Sequence, residues 1–205
     1  GVIVLNKLVG FTISDDGLAQ IAAGENWDAV VEKSVTQGFY GIEALSLIPG
    51  TAGATPVNNV GAYGQEISDT LVSVRAFDTK SGDFIDIPAS DCGLAYRTSR
   101  FKNEDHGRFI ITQITLQLKP IDASYVAPSY PSLASELAKC NTDQPTPSQV
   151  RKAVIAVRSL KLPDPNKVAN AGSFFKNAIV SKDIADKISK QYPDAPIYSH
   201  GSDYK

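Results

Sequence analysis

The 205-residue sequence predicts an α+β fold, with mixed sheets and helices over most of its length and a smaller α+β part at the end. Three observations lead there. Residues 1–119 are dominated by short β-branched or period-two runs, broken by one amphipathic helical pattern. From Pro120 to Pro147 the composition turns to Pro, Ser, Ala and Tyr. A strongly capped helix over 146–163 then leads into a loop and a second helical pattern. The expected boundaries are 1–119, a bridging segment and helix over 120–163, and the incomplete start of a second domain over 164–205.

In chain order, Gly1–Asn6 is a continuous apolar run that reads as a buried strand, and Phe11–Ser14 and Leu18–Ala23 read as strands around an Asp-Asp-Gly turn. Asn26 caps a helix in which Trp27, Val30, Val31 and Val35 share a face, and Gly38 ends it. Leu71–Asp78 and Phe84–Pro88 alternate around Lys80-Ser81-Gly82-Asp83 as a hairpin, and Arg108–Leu118 is a long strand. A short helix is expected near Leu133–Lys139. Thr146 and Gln149 form a capping box with Pro147 at the first helical position, Val150, Val154, Val157 and Leu160 stripe one face, and Pro163 stops the helix. A last helix spans Ser181 to about Gln191, carrying Ile184 and Ile188.

Composition narrows the function. A hydrophobic content of 42% suffices for a core, and the net charge of −2 lacks the basic footprint of a nucleic-acid binder. Cys92 and Cys140 form no CxxC, and His106 and His200 have no neighbours at ligand spacing, so neither a disulfide scaffold nor a metal site is expected. No apolar run is long enough to span a membrane, and no secretory leader opens the chain, which makes a reducing cytoplasm the expectation; nothing in the sequence demands more than a monomer. The start inside an apolar run and the lack of methionine suggest a piece of a longer protein.

Three stretches could carry chemistry. In 49-PGTAGATPVNNVGAYG-64, four glycines and two prolines lie inside a charge-free run from Ala44 to Gln65. Such a loop can bind phosphate through bare backbone amides, or it can be a tight structural loop. It matches neither G-x-G-x-x-G after a strand nor a P-loop. In 95-AYRTSRFKNEDHGR-108, Arg97, Arg100, Lys102 and Arg108 cluster, either to grip a carboxylate or phosphate or as a solvated turn. Between Pro147 and Lys182, seven basic residues (Arg151, Lys152, Arg158, Lys161, Lys167, Lys176, Lys182) face one acid, Asp164, a local excess of +6. That field would draw a polyanion such as a nucleotide diphosphate toward Ser173, or it marks two helices with basic solvent faces. Ser173 has no His and Asp partners for a nucleophilic triad, and Phe174 and Phe175 read as loop anchors.

Taken together, GIEALSLIPGTAGATPVNNVGAYGQEI (41–67), YRTSRFK (96–102), KLPDP…NAGSFFKN (161–177) and AAGENW (22–27) closely resemble the flavin-dependent UDP-N-acetylenolpyruvoylglucosamine reductases of bacterial peptidoglycan synthesis. The resemblance covers essentially the whole chain. It implies that residues 1–119 are part of a two-lobed FAD-binding domain followed by a substrate-binding domain. Gly50, Thr51, Ala52, Gly53, Ala54, Thr55, Asn59, Gly61 and Gly64 would then cradle FAD. NADPH would be the reductant, and UDP-N-acetylglucosamine enolpyruvate the substrate. Arg97 matches the arginine that stabilises the enolate, and Ser173 the serine that protonates C2. Tyr63, Tyr96, Tyr130, Lys161, Asn177 and Tyr198 match positions beside the substrate or its nucleotide. The family's N-terminal Gly-Ser-Asn loop and C-terminal catalytic glutamate have no counterpart, so this piece alone is expected to be inactive. Two other readings stand beside it: a non-catalytic UDP-sugar or nucleotide-binding module, and another oxidase of the same broad fold, against which Tyr96-Arg97 and Gly172-Ser173 argue.

Overall fold

The computed structural model describes residues 3–140, 142–164, 167–169 and 175–205. Its contacts divide the chain into two compact units, Gly1–Asp164 and Pro165–Lys205.

The first unit is built on a fully antiparallel five-stranded sheet. β1 (Phe11–Ile13) and β2 (Leu18–Ala22) form the first hairpin, and Asn26 caps α1 (Trp27–Thr36) by accepting from the Ala29 amide at 3.0 Å. β3 (Phe39–Tyr40) follows, and then the neutral loop. Within that loop, 3₁₀ turns at Glu43–Leu45 and Ala52–Ala54 precede a miniature hairpin of β4 (Gly61–Ala62) and β5 (Gln65–Glu66). β6 (Leu71–Asp78), β7 (Asp83–Pro88) and β8 (Phe109–Gln117) complete the sheet in the order β1-β2-β8-β6-β7, and β9 (Lys119–Pro120) pairs with β3. The register sets Ile114 opposite both Ile21 and Val74. The Trp27, Val30 and Val31 face of α1 joins those side chains in one buried core. Hydrophobic residues at period two on the strands and at i, i+3, i+4 on the helix therefore meet at a single interface.

The bridging segment forms α2 (Pro131–Leu137), which starts two residues before its expected position because Pro131 fits the first helical site. It packs on α3 (Pro147–Lys161), whose Thr146–Gln149 capping box is formed as read from sequence. Leu133, Leu137, Val150, Ala153 and Val154 make a second core there.

Two expectations for this unit fail. Residues 3–10 form no strand, and Ile3 is 96% exposed. β-Branched composition favours a pleated, half-buried surface, and no ladder forms over this run among the described residues. The segment instead crosses the sheet's end, where Gly24 donates to the Leu8 carbonyl at 3.0 Å and Asn6 Nδ2 to that of Ile111 at 2.9 Å. Leu160 is 84% exposed, because the last turn of α3 runs beyond the Val150, Ala153 and Val154 face that meets α2.

The second unit holds α4 (Lys182–Gln191) and a pair of short strands, β10 (Ser199–His200) and β11 (Asp203–Tyr204), with Val180 bridged to Tyr204. Ala185 is the buried side chain of α4, whereas Ile184 is exposed. No helix among the described residues is long and apolar enough to cross a membrane.

Candidate active site

The neutral loop is held from within. The amides of Ala52 and Gly53 donate to the carbonyls of Glu25 and Ala23 at 2.9 Å, and those of Ala54, Thr55, Asn59 and Val60 donate inside the loop. Gly53 lies so close to Ala23 that an added Cβ would stand 2.5 Å from the Ala23 Cβ. Gly50 and Gly64 differ, since both have positive φ (121° and 88°) and face open space where a side chain would be. The loop is thus rigid in its middle and bare at its two ends.

Three of the four non-glycine residues with positive φ among the described residues sit here: Asn59 at 39°, Tyr63 at 50° and Arg97 at 54°. Tyr63 and Gly64 are the two central residues of the β4–β5 hairpin, both at positive φ as a type I′ turn requires. A tyrosine stands where asparagine is usual. Tyr96 and Arg97 span a second tight turn, closed by mutual hydrogen bonds between Ala95 and Thr98 at 3.2 and 3.1 Å. Arg97 takes the position at which glycine relieves strain. Left-handed backbone at such residues costs of order 1–3 kcal/mol and persists where tertiary contacts over-determine it.

Those contacts converge on Arg97. Its Nη2 donates to the Gly61 carbonyl at 2.5 Å, and its Nη1 donates at 3.2 Å both to the Asn59 carbonyl and to Glu66 Oε1. The guanidinium also lies 5.0 Å from the centre of the Tyr96 ring. Gly61 lets the backbone approach this pair closely, since an added Cβ would stand 2.8 Å from Arg97 Nη1 and from Glu66 Cγ and would push them aside. Asn59 is buried and ties the two turns together, its Nδ2 donating to Glu66 Oε2 at 2.9 Å and to the Ala95 carbonyl at 3.1 Å. The other basic residues of 95–108 do not share these contacts. Arg108 grips Asp78 and Asp105, Arg100 grips Asp105, and Lys102 donates to Asn58 Oδ1 at 2.7 Å. Only Arg97 of the cluster reaches the hairpin end of the loop.

Tyr63 meets Tyr130 edge to face, with centroids 5.5 Å apart, beside the α2–α3 core. Burial raises the Tyr63 hydroxyl above its ordinary pKa, against the pull of the nearby Arg158 guanidinium. Arg158 thus joins the site from α3, with its Nε buried and lacking a hydrogen-bond partner among the described residues. The basic segment also loses a member: Arg151 is buried and clamped to Asp28, with Nη1–Oδ1 at 2.6 Å and Nη2–Oδ2 at 3.0 Å, so it adds little field at the surface. Lys161 is exposed at the end of α3. In the second unit, Asn177 lines a cavity of about 250 Å³ with Val180, Ala185, Ile188 and Tyr204, and Tyr198 exchanges backbone hydrogen bonds with Lys205. Ser173 lies outside the described residues.

Comparison with known proteins gives the family and the fold. Residues 1–87 match the model of an FAD binding domain. The reductase named UDP-N-acetylenolpyruvoylglucosamine reductase in Cupriavidus pinatubonensis is 41% identical over 200 residues, 96% of this chain and 58% of the relative. Its namesake in Neisseria meningitidis serogroup B is 42% identical over 198 residues, 94% of this chain and 56% of the relative. The chain belongs to the UDP-N-acetylenolpyruvoylglucosamine reductase family. It spans a little over half the length of these relatives. The crystal structure of the Thermus caldophilus reductase shares the fold, with a TM-score of 0.55 at 22% identity over 82% of this chain and 50% of that one. For a chain of this oxidoreductase family, Glu66 and Arg158 are the site residues that sequence reasoning passed over. Arg158 had a signal, its place in the basic run, whereas Glu66 had only its position beside the hairpin.

Proposed function

We propose that this chain supplies the FAD-holding loop and part of the substrate site of an NADPH-dependent flavoprotein, which reduces UDP-N-acetylglucosamine enolpyruvate to UDP-N-acetylmuramate in peptidoglycan precursor synthesis. It acts as a monomer in the cytoplasm, without nucleic-acid or membrane partners. The observation that carries this reading is Arg97, held at a strained turn with its guanidinium against the hairpin end of a neutral, glycine-rich loop. FAD suits what the loop offers, because Gly50 and Gly64 face open space that a bulky cofactor can enter and the loop carries no charged side chain of its own between Ala44 and Gln65.

Gly50 to Thr55, Asn59, Gly61 and Gly64 would hold FAD, which when bound supplies hydride transfer from NADPH to C3 of the enolpyruvyl group. The chain's own residues manage the charge that results. Arg97 stabilises negative charge spreading from C2 into the substrate carboxylate, a task suited to a permanently charged, preorganised donor. Ser173 gives a proton to C2, which is feasible for a weakly acidic hydroxyl because a carbanion-like centre is a strong base. Tyr63, Tyr96, Tyr130 and Tyr198 border the substrate, while Lys161 and Asn177 meet the diphosphate or the nicotinamide nucleotide.

The test is a titration with FAD, followed by the absorbance and fluorescence changes of the flavin. Saturable perturbation, weakened by substitution at Gly50 or Gly64, supports the reading. An unperturbed flavin together with saturable UDP-sugar binding would replace it with a non-catalytic nucleotide-binding module.

A further inference from the structure

We propose that Glu66 is the positioning residue for Arg97, fixing one edge of its guanidinium so that the other is offered to an anionic substrate group. The inference rests on the role given to Arg97 above.

The Glu66 carboxylate is itself immobilised from three directions. Oε1 receives Arg97 Nη1 at 3.2 Å, and Oε2 receives Asn59 Nδ2 at 2.9 Å. The backbone amide of Asp69 donates to the Glu66 side chain, while the Glu66 amide donates to Asp69 Oδ2 at 2.7 Å in a reciprocal capping box. Asn59 is in turn fixed, because its Oδ1 accepts from the Ser68 amide at 3.1 Å. The backbone thus aims Glu66, and Glu66 aims Arg97.

Exposure argues that this pair serves geometry more than stability. The side chains of Arg97 and Glu66 are 25% and 33% exposed, and ion pairs so open to water add little to folding. The guanidinium has five N–H donors in a rigid fork, and the described contacts leave Nε and one proton of Nη2 available. A carboxylate can approach that remaining edge in bidentate fashion. The carbonyls of Asn59 and Gly61 alone would hold the arginine but leave it free to swing, since neither opposes its charge.

The experiment uses the FAD-loaded protein that contains these residues, with Glu66→Gln made alone and in an Arg97→Ala background. Three readouts are taken: the two half-reactions separately, KM against kcat for the enolpyruvyl substrate, and solvent exchange of the Arg97 Nε proton by nitrogen-detected NMR. Glu66→Gln is expected to slow oxidation of the reduced flavin by substrate about 10- to 100-fold, the range seen when a residue supporting a functional group is lost. The effect should fall on kcat rather than KM, leave reduction by NADPH unchanged, speed Nε exchange, and vanish in the Arg97→Ala background. If Glu66→Gln disturbs folding, Glu66→Asp, which keeps the charge but shortens the reach, should give the same pattern. A wild-type second half-reaction with unaltered exchange, or an equal loss in the Arg97→Ala background, overturns the proposal. Normal substrate turnover by Arg97→Ala alone would instead overturn the role of Arg97, while the exchange readout would still report whether Glu66 holds it.

Discussion

The Asp28–Arg151 clamp between α1 and α3 gives the sharpest stability prediction. Arg151 is 8% exposed, and both guanidinium nitrogens reach the Asp28 carboxylate, at 2.6 and 3.0 Å. Asp28→Ala leaves that buried cation without its main partner. Breaking a buried pair in this way costs about 3–5 kcal/mol. The lower end applies, because the Asp28 side chain is 27% exposed and Glu32, 3.8 Å from Arg151 Nη2, recovers part of the attraction. Asp28 Oδ1 also accepts from the Leu47 amide at 2.6 Å, and losing that bond adds about 1 kcal/mol. A total near 4 kcal/mol follows, equivalent to a drop of roughly 8–16 °C in thermal midpoint for a unit of this size. Trp27, the chain's single tryptophan, is buried next to Asp28 and hydrogen-bonded to the Leu45 carbonyl, so its fluorescence follows unfolding of the first unit. Arg151→Met should cost less, because it removes the buried charge instead of orphaning it. The reasoning is refuted if Asp28→Ala costs under about 1 kcal/mol, or if the two substitutions simply add in the double variant.

Three further outcomes are expected. Gly53→Ala should destabilise the first unit by about 1–3 kcal/mol in a urea melt, because the intruding methyl meets Ala23 Cβ and backbone that cannot yield. Gly61→Ala should spare the fold, since its Cβ displaces the flexible ends of Arg97 and Glu66, but should lower substrate turnover by about 10²-fold, the cost of an ångström-scale misplacement; unchanged turnover would count against Arg97 as a catalytic group. Hydrogen bonds from Arg108 lower the Asp78 carboxyl from 3.8 to about 2. A folded pKa below the unfolded one favours the charged native form, so this contribution is whole above pH 4 and disappears as pH falls toward 2. Asp78→Asn should flatten the acid limb of a stability-versus-pH curve over that interval.

Local chemistry made the scaffold readable. The β6–β7 hairpin turns at Lys80-Ser81-Gly82-Asp83 with Gly82 at φ 80°, and α3 starts at the capping box its sequence spells out. What escaped depended on partners distant in sequence. The run Gly1–Asn6 looks like a strand by composition, yet whether it pairs is decided by neighbours that composition does not name. Leu160 continues the apolar stripe of α3, but α2 ends before reaching it. At the site, the Gly-rich loop and Arg97 were legible as types suited to anions, whereas the Tyr63-Gly64 turn was hidden because tyrosine is not a turn former at positive φ. Glu66 and Arg158 act on residues 31 and 95 positions away, counted as 97 minus 66 and 158 minus 63, beyond any local pattern.

The disposition of charge around the loop follows from what Arg97 is asked to do. An arginine steers an anion only if nearby carboxylates do not satisfy it and nearby cations do not compete for the same ligand. The neighbouring arginines are paired off accordingly, with Asp105 bonded to both Arg100 and Arg108, and Asp78 completing the Arg108 pair. Those two arginines are thereby withdrawn as rivals, and the uncharged stretch from Ala44 to Gln65 adds none. Among the described residues Glu66 remains as the one carboxylate on Arg97, and it engages a single nitrogen at 3.2 Å, long for a charge-assisted bond. That contact is strong enough to orient the fork and too weak to saturate it. Neutral loop, paired neighbours and strained turn are then three parts of one arrangement, which leaves a directed positive charge beside backbone that a large ligand can approach.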